Sequence, residues 1–481
     1  MSGLFGILNN ATKGLNAQQS ALQTTSHNIG NSNTEGYSRQ KVTMVADNPH
    51  TLPGVGQLGT GVRISSVERI VDPYVNKQLS NENSSLEKYK QKSDVLGQLE
   101  GIFNEPSETG LNKSISEVFS SWKYLASNPE LPTAKMMVAQ KTENFTDTLN
   151  HMSNQIEKLH DGTASSIKKE VSDFNSKVEQ LSSLNKQIFN VAVKGDSPND
   201  LLDQQDRLVS ELAGIAGVEA SYDKYNRISI SVGGQEILNG ESIKTLGVKD
   251  SPAGQLVVNK ENKDPMDATE ISIDSGRIKG SQEALVEITN KKQDLNDLAF
   301  TFATAVNKIH SADKPGNAFF DLSEDKGSNY ASLIKVDEAI LSDVSKINAG
   351  RELGTGVAGD GTRAQAIASL QNTLLGYPST DMSYDDKTMS IVSKPGGSTV
   401  SGAYNNTVTE MGIIKQQSDN MVKSQDGLVS LLKSRRESIS GVSINEEVAD
   451  TMKYQNAFQA NSRVISVISE MLDTLINRMG V

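Results

Sequence analysis

Residues 443–479 read SINEEVADTMKYQNAFQANSRVISVISEMLDTLINRM, and the spacing of their apolar positions decides the fold. Ile444, Val448, Met452, Ile465, Leu472, Leu475 and Met479 recur in helical, heptad-like register. Leu4, Leu8, Ala11, Leu15, Leu22 and Ile29 do the same at the other end of the chain. Neither stripe can bury its apolar side alone, so each predicts a helix that needs a helical partner. The simplest partner for each end is the other end. A protein whose two ends are its stickiest surfaces is built to assemble.

Local signals agree with a helix start at 443. Ser443-Ile444-Asn445-Glu446 has the form of a capping box, the hydroxyl accepting from the Glu446 amide and the carboxylate reaching back. Glu447 and Asp450 suit the positive end of the helix dipole, and Arg478 its negative end. Residues 1–45 carry three cations (Lys13, Arg39, Lys41) against Glu35, whereas residues 441–481 carry three cations against five carboxylates. Opposite signs favour pairing of the ends. Exposed ion pairs contribute only about 0.2–1 kcal/mol each, so they help register more than strength.

Inward from the N-terminus, a helix over residues 3–29 breaks at Gly30, Asn31, Asn33 and Gly36. The chain from Tyr37 to about Arg69 is irregular and extended, with strand character at Val62, Ile64 and Val67. Phe145, Leu149, Met152, Ile156 and Leu159, then Ile167, Val171, Phe174, Val178, Leu181, Ile188 and Val191, predict a long helical rod ending at Gly195 and Pro198. Asn199 to Leu212 is a further helix. The period then shortens to two at Ile228, Ile230 and Val232. Gly233-Gly234 and Asn239-Gly240 mark consecutive hairpin turns. Helix returns over 281–310, 362–375 and 407–436, with a Ser/Gly break at 438–443 before the terminal helix.

The expected fold class is therefore mainly α with inserted β: terminal coiled-coil helices, an elongated helical-bundle rod and a small antiparallel β domain. The expected division is 1–60 with 437–481 as terminal core, 61–214 with 276–310 and 361–436 as rod, and 215–275 as β insert. Residues 311–360 stay unassigned. The helical segments are far apart in sequence, so the chain goes out, forms the insert and returns antiparallel.

Composition narrows function. A chain of 481 residues exceeds one ordinary core, and roughly two to four domains are expected. Hydrophobic residues are 36% and aromatics 5%, which suits long exposed helices and modest cores. A net charge of -12 argues against nucleic acid. No apolar run is long enough to insert into a membrane. Cysteine is absent, which excludes thiolate zinc sites, disulfides and a cysteine nucleophile. No cleaved N-terminal signal is expected, because no basic cluster precedes the short apolar run at Leu4 to Leu8.

Chemistry-bearing motifs are weak. Gly54-Val55-Gly56-Gln57-Leu58-Gly59 has the letters of a dinucleotide fingerprint, but a strand follows it where a helix should. Gly354-Thr355-Gly356-Val357-Ala358-Gly359 is followed by a helix but preceded by no apolar strand. Both read as loop glycines. His27, His50, His151, His160 and His310 have no metal-ligand spacing, and no nucleophile elbow supports a triad. No catalytic, cofactor or metal site is expected. The rival from another class is a secreted adhesin or hydrolase using the β insert and the 350–361 loop.

Asn28, then Asn33-Thr34-Glu35-Gly36-Tyr37-Ser38-Arg39-Gln40, resembles the N-terminal signature of the bacterial flagellar rod, hook and hook-associated proteins. The ending Gly36 to Gln40 is similar to the hook-associated members. Glu446-Glu447, Tyr454-Gln455, Phe458, Gln459-Ala460-Asn461 and Glu470 to Asn477 are similar to the same family's tail. The specific match covers roughly the first 70 and last 45 residues. Gly30 and Thr451-Met452 depart from the usual residues there, and the middle is shorter than in some relatives, so no second outer β domain is expected. The resemblance implies a non-enzymatic structural subunit of the extracellular flagellum, secreted by type III export and needed for flagellum assembly and motility. It implies a homo-oligomeric ring of eleven copies at the hook–filament junction. The hook protein and the third hook-associated protein are the implied neighbours, and an export chaperone the implied partner of the C-terminal region. Another axial protein, the hook protein or the third hook-associated protein, is the near alternative.

Overall fold

The computed structural model describes residues 2–478 except 53, 55, 106, 108–109, 250–255, 260–268, 315, 323–328, 355–356, 358 and 380–381. The first helix, α1 (Ser2–Gly30), leads into a long hairpin. Strand β1 (Gln40–Ala46) pairs antiparallel with β4 (Val62–Arg69), from Gln40↔Arg69 to Ala46↔Val62, with a bulge at Thr43/Met44. Between them β2 (His50–Leu52) and β3 (Gly56–Leu58) extend the hairpin. The hairpin runs back along α1. Asn10 Nδ2 donates to the Gly59 carbonyl at 3.1 Å, and Lys13 pairs with Asp47 at 2.6 Å. The irregular segment expected over 37–69 is thus an ordered ribbon. Its alternation was masked because it buries one face only against a narrow helix.

The rod begins with α2 (Pro73–Phe103), capped by the Asp72 carboxylate, which accepts from the amides of Tyr74 and Val75. α2 lies antiparallel to α10 (Val400–Ser440). Gln425 of α10 bonds Glu82 near one end of α2, and Tyr404 Oη donates to the Phe103 carbonyl at the other. α3 (Leu111–Ser127) turns into α4 (Pro132–Ala192), whose 61 residues span roughly 90 Å. Phe145, Leu149, Met152, Ile156, Ile167, Val171, Phe174, Val178, Leu181 and Ile188 are all buried along it. α5 (Asn199–Ala216) and α6 (Arg277–His310) complete the bundle. α10 starts at Val400, seven residues before the apolar stepping announces it, because Thr399 accepts from the Gly402 amide. The helix expected over 362–375 is shorter: α9 (Thr362–Ser369) ends in a 3₁₀ turn, and Leu375 pairs with Ser398.

Four strands, β5 (Glu219–Tyr222), β6 (Ile228–Val232), β7 (Gln235–Asn239) and β8 (Ser242–Ile243), form a meander, with the expected turns joining β6 to β7 and β7 to β8. β9 (Thr245–Val248), β10 (Leu256–Asn259) and β11 (Thr269–Ile271) form a second small sheet. Both sheets pack on the helices of the rod. Ile228, Ile230, Val232, Leu246 and Leu256 share one buried core with α4, α5 and α6. Two α4 side chains bond strand backbone: Asn185 exchanges two bonds with Ile228, and Asn175 two with Leu246. Strands this short cannot bury a face among themselves, so the helix supplies the other half of their core.

The unassigned segment 311–360 closes the far end of the rod. It contains α7 (Tyr330–Leu333), α8 (Glu338–Ser342) and the pair β12 (Phe320–Asp321) with β13 (Lys335–Val336). Phe319 and Phe320 stack edge-on with Trp122, His310 and Phe302. His310 is buried; its Nδ1 donates to the Asn317 carbonyl at 2.7 Å, and its Nε2 accepts from the Asn348 amide at 3.0 Å. Burial and the nearby Arg363 charge hold its pKa down at about 4, against the Asn317 bond. Arg363 is buried too, and donates to the carbonyls of Ile309, Gly350 and Arg351. The last short pair, β14 (Tyr384–Asp385) with β15 (Ser390–Ile391), precedes α10. α11 (Ile444–Asp473) follows after the break Gly441–Ser443, and a π turn, Thr474–Arg478, ends the described chain.

Candidate functional site

The two ends of the chain meet as an antiparallel coil of α1 and α11. Asn28, near the end of α1, bonds Glu447, near the start of α11, while Gly14 faces Asn461. The seam is not the leucine stripe. On α1 the buried positions are Ala11, Gly14, Ala17, Ala21, Thr25 and Asn28, a row of small or polar residues at three- and four-residue steps. Leu4, Leu8, Leu15, Leu22 and Ile29 flank it, half-buried. On α11 the inward register runs Glu447, Thr451, Tyr454, Phe458, Asn461, Ile465, Ile468 and Leu472, with Glu447 and Ile468 buried and the rest half-buried.

This corrects part of the expected pairing. Ile465 and Leu472 do face α1, but Val448 and Met452 lie off that register at 44% and 55% exposure, and Ile444 and Leu475, 51% and 46% exposed, continue it just beyond the stretch that α1 covers. Met479 lies outside the described residues, as do Thr355, Gly356 and Ala358 of the second glycine run. The outward residues are joined by Val464, Val467, Met471 and Ile476, all exposed. α11 is therefore apolar on two sides. Its inner side buries largely methyl-sized partners, each contributing about 1 kcal/mol or less. Each outer side chain would contribute about 1.5–3 kcal/mol if fully buried.

Where the coil meets the rod, the signature residues converge. The Asn28 side chain uses all of its hydrogen-bonding capacity. Its Nδ2 donates to the Gln40 carbonyl at 2.9 Å and to Glu447 at 3.0 Å, and its Oδ1 accepts from Tyr37 Oη at 2.8 Å and the Gln40 amide at 3.0 Å. Arg39 donates Nε to Glu447 at 2.6 Å and Nη1 to Glu446 at 2.9 Å, with Asp450 at 3.8 Å. Its amide donates to the Ser440 carbonyl, and its carbonyl accepts from the Ile70 amide, both at 2.8 Å. The Ser38 amide donates to Asp203 at 3.1 Å, and Gln40 Nε2 to Asp200 at 2.8 Å. Arg69 spans Asp203 and Asp206 at 2.7 and 2.9 Å; burial opposes its charge, but the two carboxylates outweigh this and raise its pKa. Burial, with Asp200, Asp203 and Glu447 nearby, pushes the Tyr37 phenol up, so it stays a proton donor.

Other expected positions fall elsewhere. Asn33 lies in the turn after α1, which Gly36 closes at a φ of 84°. Gln455 and Ala460 are exposed on α11, while Tyr454 and Asn461 line the coil. The capping box does not form: Ser443 makes no side-chain cap bond, and the Glu446 carboxylate is turned to Arg39. Sequence reasoning placed Glu447 as a dipole charge and in the family tail but gave it no partner, and it passed over Asp200, Asp203 and Asp206. Their i, i+3, i+6 spacing on one face of α5 was the available signal.

No His, Cys, Asp and Glu group suited to a metal occurs among the described residues, and none of their helices is long and apolar enough to cross a membrane. His27 is tied to Tyr37, His151 to Gln155 and His160 to Asp161.

Over its whole length the chain is 31% identical to flagellar hook-associated protein 1 of Bacillus subtilis (strain 168), covering 99% of that relative. The chain belongs to the flagellar hook-associated protein 1 family. The hook-associated protein 1 of Escherichia coli (strain K12) is 27% identical, over 98% of this chain and 100% of that one. The helical domain of the flagellar hook-associated protein FlgK matches residues 96–329, which hold the α3–α6 bundle and its sheets. The flagella basal body rod protein family matches 8–37, and the C-terminal family of the FlgEFG rod proteins matches 434–479. These two matches are the two strands of the coil. In fold, the chain resembles the flagellar hook junction protein FlgK from Burkholderia pseudomallei, with a TM-score of 0.61, 16% identity, and coverage of 76% of this chain and all of that one. In this hook-associated protein 1 family member, Asn28, Ser38, Arg39 and Gln40 thus tie the coil to the rod.

Proposed function

We propose that this chain is a non-catalytic structural subunit of the extracellular flagellum, seated at the junction of hook and filament and joined to its neighbours through the terminal coil. One observation carries the reading: α11 stays apolar on the side away from α1, where Val448, Met452, Val467 and Met471 are exposed. A helix that has found its intrachain partner and still presents such a face is made to be covered again. Full-length similarity to hook-associated protein 1 supports the flagellar setting.

On this reading identical copies close into a ring, with eleven as the proposed number. The hook protein lies on one side and the third hook-associated protein on the other. Secretion through the flagellar export route, with a chaperone on the C-terminal segment, keeps the apolar face covered until assembly. The family likeness supports assembly with other flagellar proteins.

Imaging of isolated junctions tests the proposal. A chain lacking residues 441–481 should be soluble and largely helical, yet absent from the junction, and cells carrying it should lack filaments. Filament growth with that truncated chain would overturn the reading.

A further inference from the structure

His310 ends α6 fully buried, with both ring nitrogens committed to backbone. A carbonyl can only accept, so the bond to Asn317 fixes the ring proton on Nδ1. An amide can only donate, so the bond from Asn348 requires a bare Nε2. The Asn348 side chain adds a second tie, donating Nδ2 to the His310 carbonyl and accepting from the Gly354 amide, both at 3.1 Å. Segment 344–354 thus meets α6 through Asn348. On its other side it meets α9, where the Ala364 amide donates to the Ala349 carbonyl at 2.9 Å and Arg363 spans the carbonyls of Gly350 and Arg351 at 2.9 and 2.6 Å. The charges that act on the ring are positive: Arg363 from α9, and Lys135 from α4, whose Nζ donates to the Ser345 carbonyl at 2.9 Å. Neighbouring carboxylates are engaged elsewhere. Asp343 accepts from the Ser345 amide and attracts Lys135, and Asp360 accepts from the amides of Arg351 and Thr362.

We propose that His310 is an acid-operated latch on segment 344–354: a proton on Nε2 turns the acceptor facing the Asn348 amide into a donor, the segment lifts from α6, and the aromatic cluster around the ring meets water. Two N–H groups cannot share a bond, and a third cation beside Arg363 and Lys135 gains no counter-ion in the closed segment. Lifting the segment hydrates the imidazolium. The ring titrates near 4 when closed and near 6.5 when open to water, so full protonation multiplies the open population by at least on the order of a hundredfold. The α4 core from Ile167 to Ile188 begins roughly 50 Å along the helix from Lys135, so the opening is local. The far end of the rod thereby carries an apolar surface, Trp122 with Phe319 and Phe320, whose exposure depends on acidity. The inference stands apart from the proposed place in the flagellum.

Trp122 is the chain's single tryptophan and lies edge-on to His310, with 6.4 Å between ring centroids. Its emission therefore reads the latch, while far-UV circular dichroism reads the helices. As the full chain is acidified, the emission should move to the red between pH 6.5 and about 4, at a higher pH than any loss of helix. Hydrogen exchange, corrected for the intrinsic pH dependence of amides, should speed on the order of a hundredfold at Asn348 and Ala364 while residues 167–188 stay protected. His310→Gln should remove the early emission shift. A red shift that coincides with helix loss overturns the inference, as does one that persists unchanged in His310→Gln. Should that variant not fold, nitrogen-15 histidine spectra of the unaltered chain decide. One of the five imidazoles should hold the Nδ1–H tautomer down to the pH at which the Trp122 emission moves, and take its proton there. Protonation of that ring with no movement of the emission refutes the latch.

Discussion

Gly14 of α1 and Asn461 of α11 touch across the coil: a Cβ built on Gly14 would stand 2.9 Å from Asn461 Nδ2 and 3.1 Å from its Cγ. Two effects compete on substitution. Gly14→Ala gains about 1 kcal/mol of helix propensity and asks only a side-chain tip to yield, so it should be near neutral. Gly14→Leu cannot be accommodated without separating the helices. Circular dichroism melts should show little change for the first and an early loss of helix for the second; equal melts would contradict the small-residue seam.

The two faces of α11 should respond differently to charge. Ile468→Asp puts a carboxylate into the seam at a cost of several kcal/mol and should open the coil even in the monomer. Val448→Asp and Met452→Asp change exposed positions, so monomer stability should move by no more than about 0.5 kcal/mol. Assembly into junctions should fail in all three. Normal motility of Met452→Asp would remove the outer face from the assembly surface.

Glu447→Ala leaves Arg39 Nε and Asn28 Nδ2 without their acceptor in a largely buried setting. The expected loss is about 2 kcal/mol, tempered by the partial exposure of Arg39. Glu446→Ala, at an exposed partner, should cost much less. Denaturant midpoints compare the two directly, and identical shifts would speak against a buried anchor at Glu447.

His310 makes the rod acid-sensitive. Its pKa is near 4 in the folded chain against 6.5 for the free group, so the unfolded state binds the proton first. The neutral ring's stabilisation is complete above pH 6.5 and is lost as pH falls toward 4, by roughly 3 kcal/mol in all. Thermal midpoints should decline over that window, and His310→Gln should flatten the decline. A decline of the same slope in His310→Gln would assign the acid sensitivity to other groups.

Hydrogen exchange should be faster in the coil than in the rod. Few large apolar side chains are fully buried between α1 and α11, whereas Phe174, Val178 and Leu181 are completely so in α4. Amides over 446–472 should open first in the monomer and slow after assembly. Uniform protection along both helices would mean that the coil is closed before assembly.

Helical period and turn chemistry were legible in the residues, because they depend on neighbours within a turn or two. The heptad steps of α4 and the Gly233-Gly234 and Asn239-Gly240 hairpins therefore appear where the spacing puts them. Signature residues could be recognised, but not what they do. Asn28 and Glu447 are 419 positions apart, and no local rule says that one amide will bind the other's carboxylate. The choice of seam was likewise hidden. Leucines dominate a hydropathy pattern, whereas close approach of two helices favours Ala17, Ala21 and Gly14, whose small size is itself the contact. Sequence alone thus determined that both ends are amphipathic helices around a rod with a β insert. Which face turns inward, which stays open, and how Arg39 ties the break at Gly441 were decided only by tertiary structure, because burial and long-range hydrogen bonding depend on what the folded chain brings alongside.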